Sequence, residues 1–167
     1  MATLLRRDST RQTVDNIAQS YLEFWMEHGI NHDANPPHAN LQYDSPETHG
    51  LLYNLYADAL LGLDFIPREV YDMQSNFYPT VAQKFGVPLD TRNKWTKSDW
   101  EMFAAAVASP DTQRMMIKTL ADWINVTPTH RPLTDLFNVD TGDYPGTLQF
   151  AARPVMGGTF SLLALKK

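Results

Sequence analysis

The sequence PLDTRNKWTKSDWE, residues 88–101, crowds acidic, basic and tryptophan side chains into the approach to a helix. Ser98 followed three residues later by Glu101 has the pattern of a capping box, which predicts a helix from Asp99 through MFAAAVA. Carboxylates in the first turn face the positive end of the helix dipole, so we expect Asp99 and Glu101 to be ionised. Loops held by a rigid helix are common sites of binding and catalysis, and we expect chemistry in this segment.

Two interpretations of this segment stay open from the residue types alone. Its charged side chains could bind a substrate, and those before the helix are Asp90, Arg92 and Lys97. Equally, the helix start could be only a cap, and Asp90 with Arg92 only an exposed ion pair, which contributes little to stability. Asp99 and Glu101 are two positions apart and do not share a helix face, so an acid–base pair needs a second carboxylate from elsewhere in the fold.

Composition bounds the classes of protein to which the chain can belong. Residues 1–167 are 43% hydrophobic and 20% charged, which is typical of one globular domain. The formal net charge of -5 and the lack of long basic runs argue against nucleic acid or an anionic membrane as partners. The chain has no cysteine, so it has no disulfide, thiolate zinc site or cysteine nucleophile. We also expect neither a signal peptide nor a transmembrane helix, which places the chain as written in the cytosol.

Hydrophobic periodicity predicts a mainly α fold of antiparallel helical hairpins. A capping box at Ser9 and Gln12 opens an amphipathic helix that ends near Gly29. Further helices are expected over 48–62, from Pro67 to Gly86 with a kink or restart at Pro79, over 99–107, over 110–124, and as two apolar turns near the C-terminus. Residues 30–47 are expected to form a long ordered loop, and residues 128–150 a turn-rich segment with a short hairpin around 140–143.

Metal and cofactor chemistry finds little support in the sequence. His28, His32 and His38 with Asp33 invite a metal site, but Gly29 breaks the helix that would align the first two histidines, and we predict no metal and no cofactor. There is no Gly-rich phosphate loop, GxSxG elbow or HExxH motif. Most of the tryptophans are expected to pack in the core rather than to stack on a ligand; they are Trp25, Trp95, Trp100 and Trp123.

Three long runs carry a family resemblance: DSPETHGLLYNLYADALLGL at 44–63, VYDMQSNFYPTVAQKFGVPLDTRNKWTKSDWEMFAAAVAS at 70–109, and RPVMGGTFSLLAL at 153–165. They resemble the C-terminal part of the fungal glutaminase A family, and the similarity covers all but about the first ten residues. The resemblance implies a secreted hydrolase that converts L-glutamine to L-glutamate and ammonia. It also implies a toroid of six helical hairpins, an (α/α)6 ring, of which this chain resembles the last half. Family members are several times longer, with a β-rich N-terminal region and a secretion signal.

The resemblance also suggests roles for individual side chains. A glutamine substrate needs a cation for its carboxylate, a carboxylate for its ammonium group and a base that activates water. The candidate catalytic residues are Glu101, Asp99 and Asp44. The candidate substrate-binding residues are Asp90, Arg92, Lys97, Arg153, Tyr43 and His49, although a capping or solvated role for His49 is an alternative. Asn125 begins a glycosylation sequon, which matters only if the chain is secreted.

Two other functions stay open. The chain could be a non-catalytic helical remnant that packs on the missing family domains or on a second copy of itself, because the helix over 48–62 is apolar nearly all round and needs cover. A carbohydrate-active toroid protein is a weaker alternative, based on fold analogy. We expect Asp99→Asn to cost little stability but to impair any substrate site, because the amide keeps the size of the side chain and loses its charge.

Overall fold

The computed structural model describes residues 8–127, 131–146 and 148–165. Its fold is mainly α, as the sequence predicts. The helices are α1 (Asp8–His28), α2 (Leu55–Leu61), α3 (Arg68–Val81), α4 (Ser98–Val107), α5 (Pro110–Val126) and α6 (Ser161–Leu165), with 3-10 helices at Leu148–Phe150 and Pro154–Phe160. Two small antiparallel sheets pair β1 (Ile30–Asn31) with β2 (His38–Ala39), and β3 (Trp95–Lys97) with β4 (Leu136–Asn138). None of the helices in the described part is long and apolar enough to cross a bilayer.

Helix α4 lies at the centre of the fold. It packs against α2, α5, α6 and the second 3-10 helix. The small side chains of Ala104 and Ala105 are almost fully buried, and they let the neighbouring elements approach closely. Around them the main core cluster includes Met102, Met116, Trp123 and Phe137, and the Trp123 ring stacks on Phe137 with centroids 3.9 Å apart. A smaller cluster of Leu55, Val70 and Tyr71 packs against Trp25 and Met26 and so joins α1 to the body of the protein.

Helix α3 runs through Pro79 without a break, so the predicted restart there is wrong. A proline inside a helix removes the N–H that would bond the carbonyl four residues earlier. Here that carbonyl belongs to Ser75, and the Thr112 hydroxyl of α5 donates to it at 2.6 Å. A side chain of another helix therefore satisfies the group that Pro79 leaves free. The helix ends at Val81, earlier than the predicted end at Gly86, because residues 83–86 form a bridged turn.

Helix α2 is shorter and more exposed than the sequence suggests. It begins at Leu55 rather than Thr48, because residues 48–52 are not helical and Gly50 forms a β-bridge with Asp90; Gly62 ends the helix in the left-handed conformation with φ 59°. Leu60 and Leu61 are 42% and 62% exposed, so the prediction of a helix buried on most of its surface is wrong within this part of the chain. The sequence of this helix is apolar nearly all round because its buried side packs against the protein while leucines on its other side face solvent.

The C-terminal segments also differ from their predicted form. Strand β4 pairs with β3, about forty residues earlier in the chain, rather than with a local partner, and a turn closed by Asn138 and Asp143 takes the place of the hairpin expected at 140–143. Only residues 161–165 of the last apolar segment are α-helical, because residues 154–160 form a 3-10 helix. The close approach predicted at the paired glycines is confirmed at Gly158, where a Cβ atom would lie 2.7 Å from the Cβ of Asp99.

A long apolar groove runs beside α1. It has a volume of about 500 Å³, and its walls come from α1, from the start of α2 and from Phe65 and Ile66. On α1, Ile17 and Tyr21 are 63% and 64% exposed. The apolar surface that was predicted to require a covering segment or chain is therefore mainly α1 and this groove, rather than the whole of α2.

Candidate functional site

Four charged side chains form an ion cluster at the start of α4, and three of them, Lys97, Asp99 and Asp135, are buried. The Lys97 ammonium lies 3.0 Å from Asp99 Oδ2 and 3.5 Å from Asp135 Oδ2. The Arg153 guanidinium donates to both carboxylate oxygens of Asp135, with Nε 2.8 Å from Oδ1 and Nη2 2.5 Å from Oδ2. Asp99 is 2% exposed and Asp135 is fully buried, so neither is a surface charge. Two cations balance two anions, and the cluster is neutral as a whole.

Backbone contacts hold the ion cluster together across distant parts of the chain. The first amide of α4, at Ser98, donates to the carbonyl of Asp135 at 2.9 Å, and the amide of Asp135 donates to Phe150 at 3.1 Å. Burial alone would raise the pKa of the Asp135 carboxyl, but the hydrogen bond from Arg153 and the charge of Lys97 hold that pKa below its usual range. Asp135 is therefore an anion that the two cations stabilise.

The capping box predicted at Ser98 and Glu101 does not form. The Ser98 hydroxyl lies 3.6 Å from Met156 Sδ, and no side chain caps the helix end. Glu101 instead points into the core, where one carboxyl oxygen accepts the amide of Val87 and the other has no hydrogen-bond partner. Gly86 lies directly against this carboxyl group, and any side chain there would overlap it.

The expectation that Glu101 is ionised is also wrong. Burial raises the pKa of the Glu101 carboxyl to about 8, and the single hydrogen bond from Val87 offsets only part of this effect. A helix dipole stabilises a nearby charge by about 0.3–1 kcal/mol, which is much less than the cost of taking an unpaired carboxylate out of water. Glu101 is therefore a protonated, neutral acid at neutral pH.

A second polar group lines an open cleft of about 460 Å³. Arg92 holds Asp90 through two side-chain hydrogen bonds of 2.9 and 2.7 Å. The Asp90 side chain is 8% exposed, whereas that of Arg92 is 68% exposed. The hydrogen bond from Arg92 is the main reason that the pKa of Asp90 falls below its usual range. The sequence-based ion pair is confirmed, but only its arginine is a surface group.

The walls of this cleft are aliphatic and aromatic, and apart from that ion pair its described lining residues are neutral. The Tyr53 ring stacks on Trp100 with centroids 3.8 Å apart, and the Lys97 ammonium lies 4.3 Å from the centre of the Trp100 ring. Trp100 therefore contacts both the cleft and the ion cluster. The other polar side chains of the lining are Asn40 and Asn54.

His49 lies beside Asp90 but does not line the cleft. Its ring centroid is 5.2 Å from that of Phe77 and 6.4 Å from that of His38. Burial, with the charge of His38, lowers the pKa of His49 despite the opposing effect of Asp90. The lowered pKa favours a neutral imidazole at neutral pH.

The structure does not bring Asp44 or Tyr43 to either polar group. The Asp44 side chain is 73% exposed and pairs with His28 at 3.0 Å. Tyr43 packs edge-on against Phe24 with centroids 5.1 Å apart. Asp44 does not line the cleft and is paired with His28 instead, so the role of a base predicted for Asp44 is not supported.

The remaining sequence candidates have local structural roles. His32 contacts the carbonyl of Met26 at 2.8 Å, and His38 stacks on Phe77. Among the residues that the structure describes, no three His, Cys, Asp or Glu side chains are grouped to hold a metal ion. Asn125 is exposed in the last turn of α5.

Three polar residues of these groups are missing from the sequence-based set: Asp135, Asn40 and Asn54. Asp135 lies in a turn-rich segment without periodicity, and Asn40 in a loop rich in polar residues. The segment LTDLFNV around Asp135 has no strict alternation of apolar and polar residues, so the sequence offers no local signal for a strand there or for the partner of the acid.

We predict that Glu101→Gln removes a pH dependence of stability. Because the folded-state pKa is raised from 4.5 to about 8, the native protein binds more protons than the unfolded chain between these values. The contribution of Glu101 to stability is thus complete below pH 4.5 and is lost as the pH rises through 8. Relative to wild type, Glu101→Gln should gain roughly 3–5 kcal/mol across this range, measured by urea unfolding at several pH values. Exposed Glu47→Gln is the control, and equal pH profiles for both variants would contradict the prediction.

We predict that Lys97→Met destabilises the protein by about 3–5 kcal/mol, because it leaves Asp99 as a buried charge without a cation. The matched control is Lys118→Met, which breaks an exposed pair with Asp122 on α5 and should cost less than about 1 kcal/mol. Urea unfolding at pH 7 measures both. Asp99→Asn is likewise expected to cost more than the small loss that a role at the helix dipole implied, since its partner Lys97 is also buried. Similar costs for the two lysine variants would show that the ion cluster does not stabilise the fold.

Comparison with known proteins agrees with the resemblance in the sequence. The sequence model of the glutaminase A six helical-hairpin domain matches residues 1–163. Glutaminase A of Aspergillus oryzae (strain ATCC 42149 / RIB 40) is 59% identical over 90% of this chain and 22% of its own length. A protein called a probable glutaminase from Arthroderma benhamiae (strain ATCC MYA-4681 / CBS 112371) is 42% identical over 91% of this chain and 20% of its own length.

The chain thus spans about a fifth of the length of these relatives. No solved structure matches it. With a family model that covers nearly all residues, and a relative 59% identical over 90% of the chain, the protein belongs to the glutaminase A family through its six helical-hairpin domain.

Proposed function

We propose that this chain binds L-glutamine in the cleft at Asp90 and Arg92 and takes part in the hydrolysis of its side-chain amide. The observation that supports the proposal most directly is the pairing of opposite charges in a cleft of about 460 Å³ whose other walls are neutral. Family membership supports the choice of glutamine, since the two relatives are called glutaminases.

The ion pair suits a free amino acid. Arg92 directs Nε and one terminal nitrogen at Asp90, and its remaining N–H groups stay available for a substrate carboxylate. The Asp90 carboxylate has the charge that a substrate ammonium group needs. The carboxylate of a bound zwitterion would contact Arg92, and its ammonium group would contact Asp90. Each charged group would then lie beside a group of opposite charge on the other molecule as well as on its own.

The proposal gives Glu101 a positioning role rather than a catalytic one. Glu101 is fully buried and does not line the cleft, but it accepts the amide of Val87 in the segment that leads to Asp90. Its pKa of about 8 lies in the range of a general acid or base, yet a general base must come within hydrogen-bond reach of the proton that it takes. Asp90 and Arg92 therefore carry the substrate contacts in this proposal, and Glu101 supports the segment.

We predict that L-glutamine binds the chain and that Arg92→Gln weakens binding at least tenfold, because the substrate carboxylate loses its cation. Calorimetry with L-glutamine measures the affinity, and ammonia release from L-glutamine measured in parallel reports on the chemical step. The matched control is Arg68→Gln, since Arg68 also pairs with an aspartate, Asp72, at 3.1 Å but stands exposed on α3 outside the cleft. Absence of glutamine binding by the wild-type chain, or an equal loss in both variants, would refute the proposal.

A second candidate function, a packing module, is favoured by the apolar groove beside α1. Its lining is almost entirely apolar, and α1 adds the exposed Ile17 and Tyr21. Exposed patches of more than a few hundred Å² commonly mark protein–protein contacts. This candidate requires no catalysis and is compatible with the cleft.

We predict that the chain self-associates at micromolar concentration and that Ile17→Glu shifts it towards the monomer, because a charge placed in the groove must be desolvated on association. Sedimentation velocity measures both, and Gln42→Glu, in an exposed loop, is the control for added charge. A wild-type chain that remains monomeric and binds no apolar dye would contradict this second function.

A further inference from the structure

The apolar groove beside α1 and the cleft at Asp90 and Arg92 are neighbouring cavities. Three residues line both of them: Trp25, Leu52 and Asn54. None of these three residues is buried, so they form a partly exposed rim between the two cavities rather than a partition inside the core. A ligand that starts in the cleft can therefore extend across this rim into the groove.

The two cavities differ in polarity. Asp90 and Arg92 are the only charged side chains among the described lining residues of the cleft. Among the described residues that line the groove, none is charged, and Asn54 on the shared rim is the one amide among aliphatic and aromatic side chains. A molecule with a charged head and an apolar tail would therefore meet surface of its own kind in each cavity.

Together the two cavities have the usual form of a small-molecule site, which places a few convergent polar groups beside a larger apolar wall. The cleft of about 460 Å³ supplies the ion pair, and the groove of about 500 Å³ supplies the apolar wall. Ile17 of the groove is 63% exposed, and covering such a side chain with an apolar group is favourable. L-Glutamine in the cleft has no apolar group that could cover it.

We propose that the cleft and the groove together bind γ-glutamyl amides whose amide nitrogen carries an apolar substituent, and that this substituent lies in the groove. The inference rests on the proposed function and extends it from L-glutamine to a class of ligands. The amino acid head of such a ligand contacts Asp90 and Arg92, as proposed for glutamine. Its amide group lies towards the rim, and the apolar substituent covers the groove side of α1.

The probe is Nγ-hexyl-L-glutamine, and calorimetry compares its affinity with that of L-glutamine. The wild-type chain should bind the hexyl amide at least about tenfold more tightly, because each methylene group removed from water adds to the affinity. N-Hexylacetamide keeps the tail and the amide but lacks the charged head. It should bind at least about tenfold more weakly than the hexyl amide, because it makes no contact with the ion pair.

Two matched variants locate the tail. Ile17→Glu places a charge in the groove, and Leu61→Glu places the same charge at a leucine of α2 that is 62% exposed and lines neither cavity. In Ile17→Glu, the affinities for the hexyl amide and L-glutamine should lie within about threefold of each other, since the charge must lose water when the tail covers it. The affinity for L-glutamine itself should not change, because Ile17 does not line the cleft. Leu61→Glu should keep the wild-type difference.

The outcomes separate this inference from the proposed function. If the wild type binds L-glutamine but gains nothing from the hexyl group, or if Ile17→Glu keeps the gain, the inference is overturned and the proposed function stands. If N-hexylacetamide binds as tightly as the hexyl amide, the groove takes apolar chains without the cleft, and the inference falls. A second copy in the groove would appear as self-association in sedimentation together with no gain from the tail, which also overturns the inference. A wild-type chain that binds neither L-glutamine nor the hexyl amide overturns the proposed function and this inference with it.

Discussion

The ammonium group of Lys97 lies between two buried carboxylates, and this contact joins the junction of β3 and α4 to a segment about forty residues later in the chain. Lys97 ends β3, Asp99 stands in the first turn of α4, and Asp135 precedes β4. Burying charges is costly unless each has a partner, so these segments are stable in the core only when they come together. Arg153 donates to Asp135, so the C-terminal segment must also lie beside this cluster. Aromatic rings contribute as well, since the Arg153 guanidinium lies 4.7 Å from the centre of the Phe150 ring.

Asp99 and Glu101 show how two acids of one helical turn can meet different electrostatic surroundings. They are two residues apart and face different surroundings. Asp99 meets Lys97, whereas Glu101 meets Gly86 and the backbone of Val87 and has no cation beside it. A charged partner stabilises an anion, and desolvation without one favours the neutral acid. The difference lies in the tertiary partners, because both acids share the same helix dipole.

The sequence predicted most helices because periodicity is a local signal, and it failed where a distant group decides the outcome. The apolar pattern of α4 and α5 identified both helices. The restart expected at Pro79 was wrong because a distant residue compensates for the proline. The Thr112 hydroxyl donates to the carbonyl that the missing proline N–H leaves free, and Thr112 is remote in sequence. The Ser98 and Glu101 pattern is the same whether the glutamate turns back to cap the helix or turns inward. Asp135 could not be paired with Lys97 from spacing, since the contact joins two strands about forty residues apart.

Exposure separates the two candidate arginines. Both donate Nε and Nη2 to one aspartate, but Arg153 is 34% exposed and holds a fully buried carboxylate, whereas Arg92 is 68% exposed and lines the cleft. Under the proposed function, Arg92 is therefore the arginine that would contact a substrate carboxylate. Trp100 joins the two groups, because it contacts Lys97 on one hand and the Tyr53 wall of the cleft on the other. A change in the ion cluster would thus reach the cleft through the position of one indole ring, so the buried charges support the wall of the cleft.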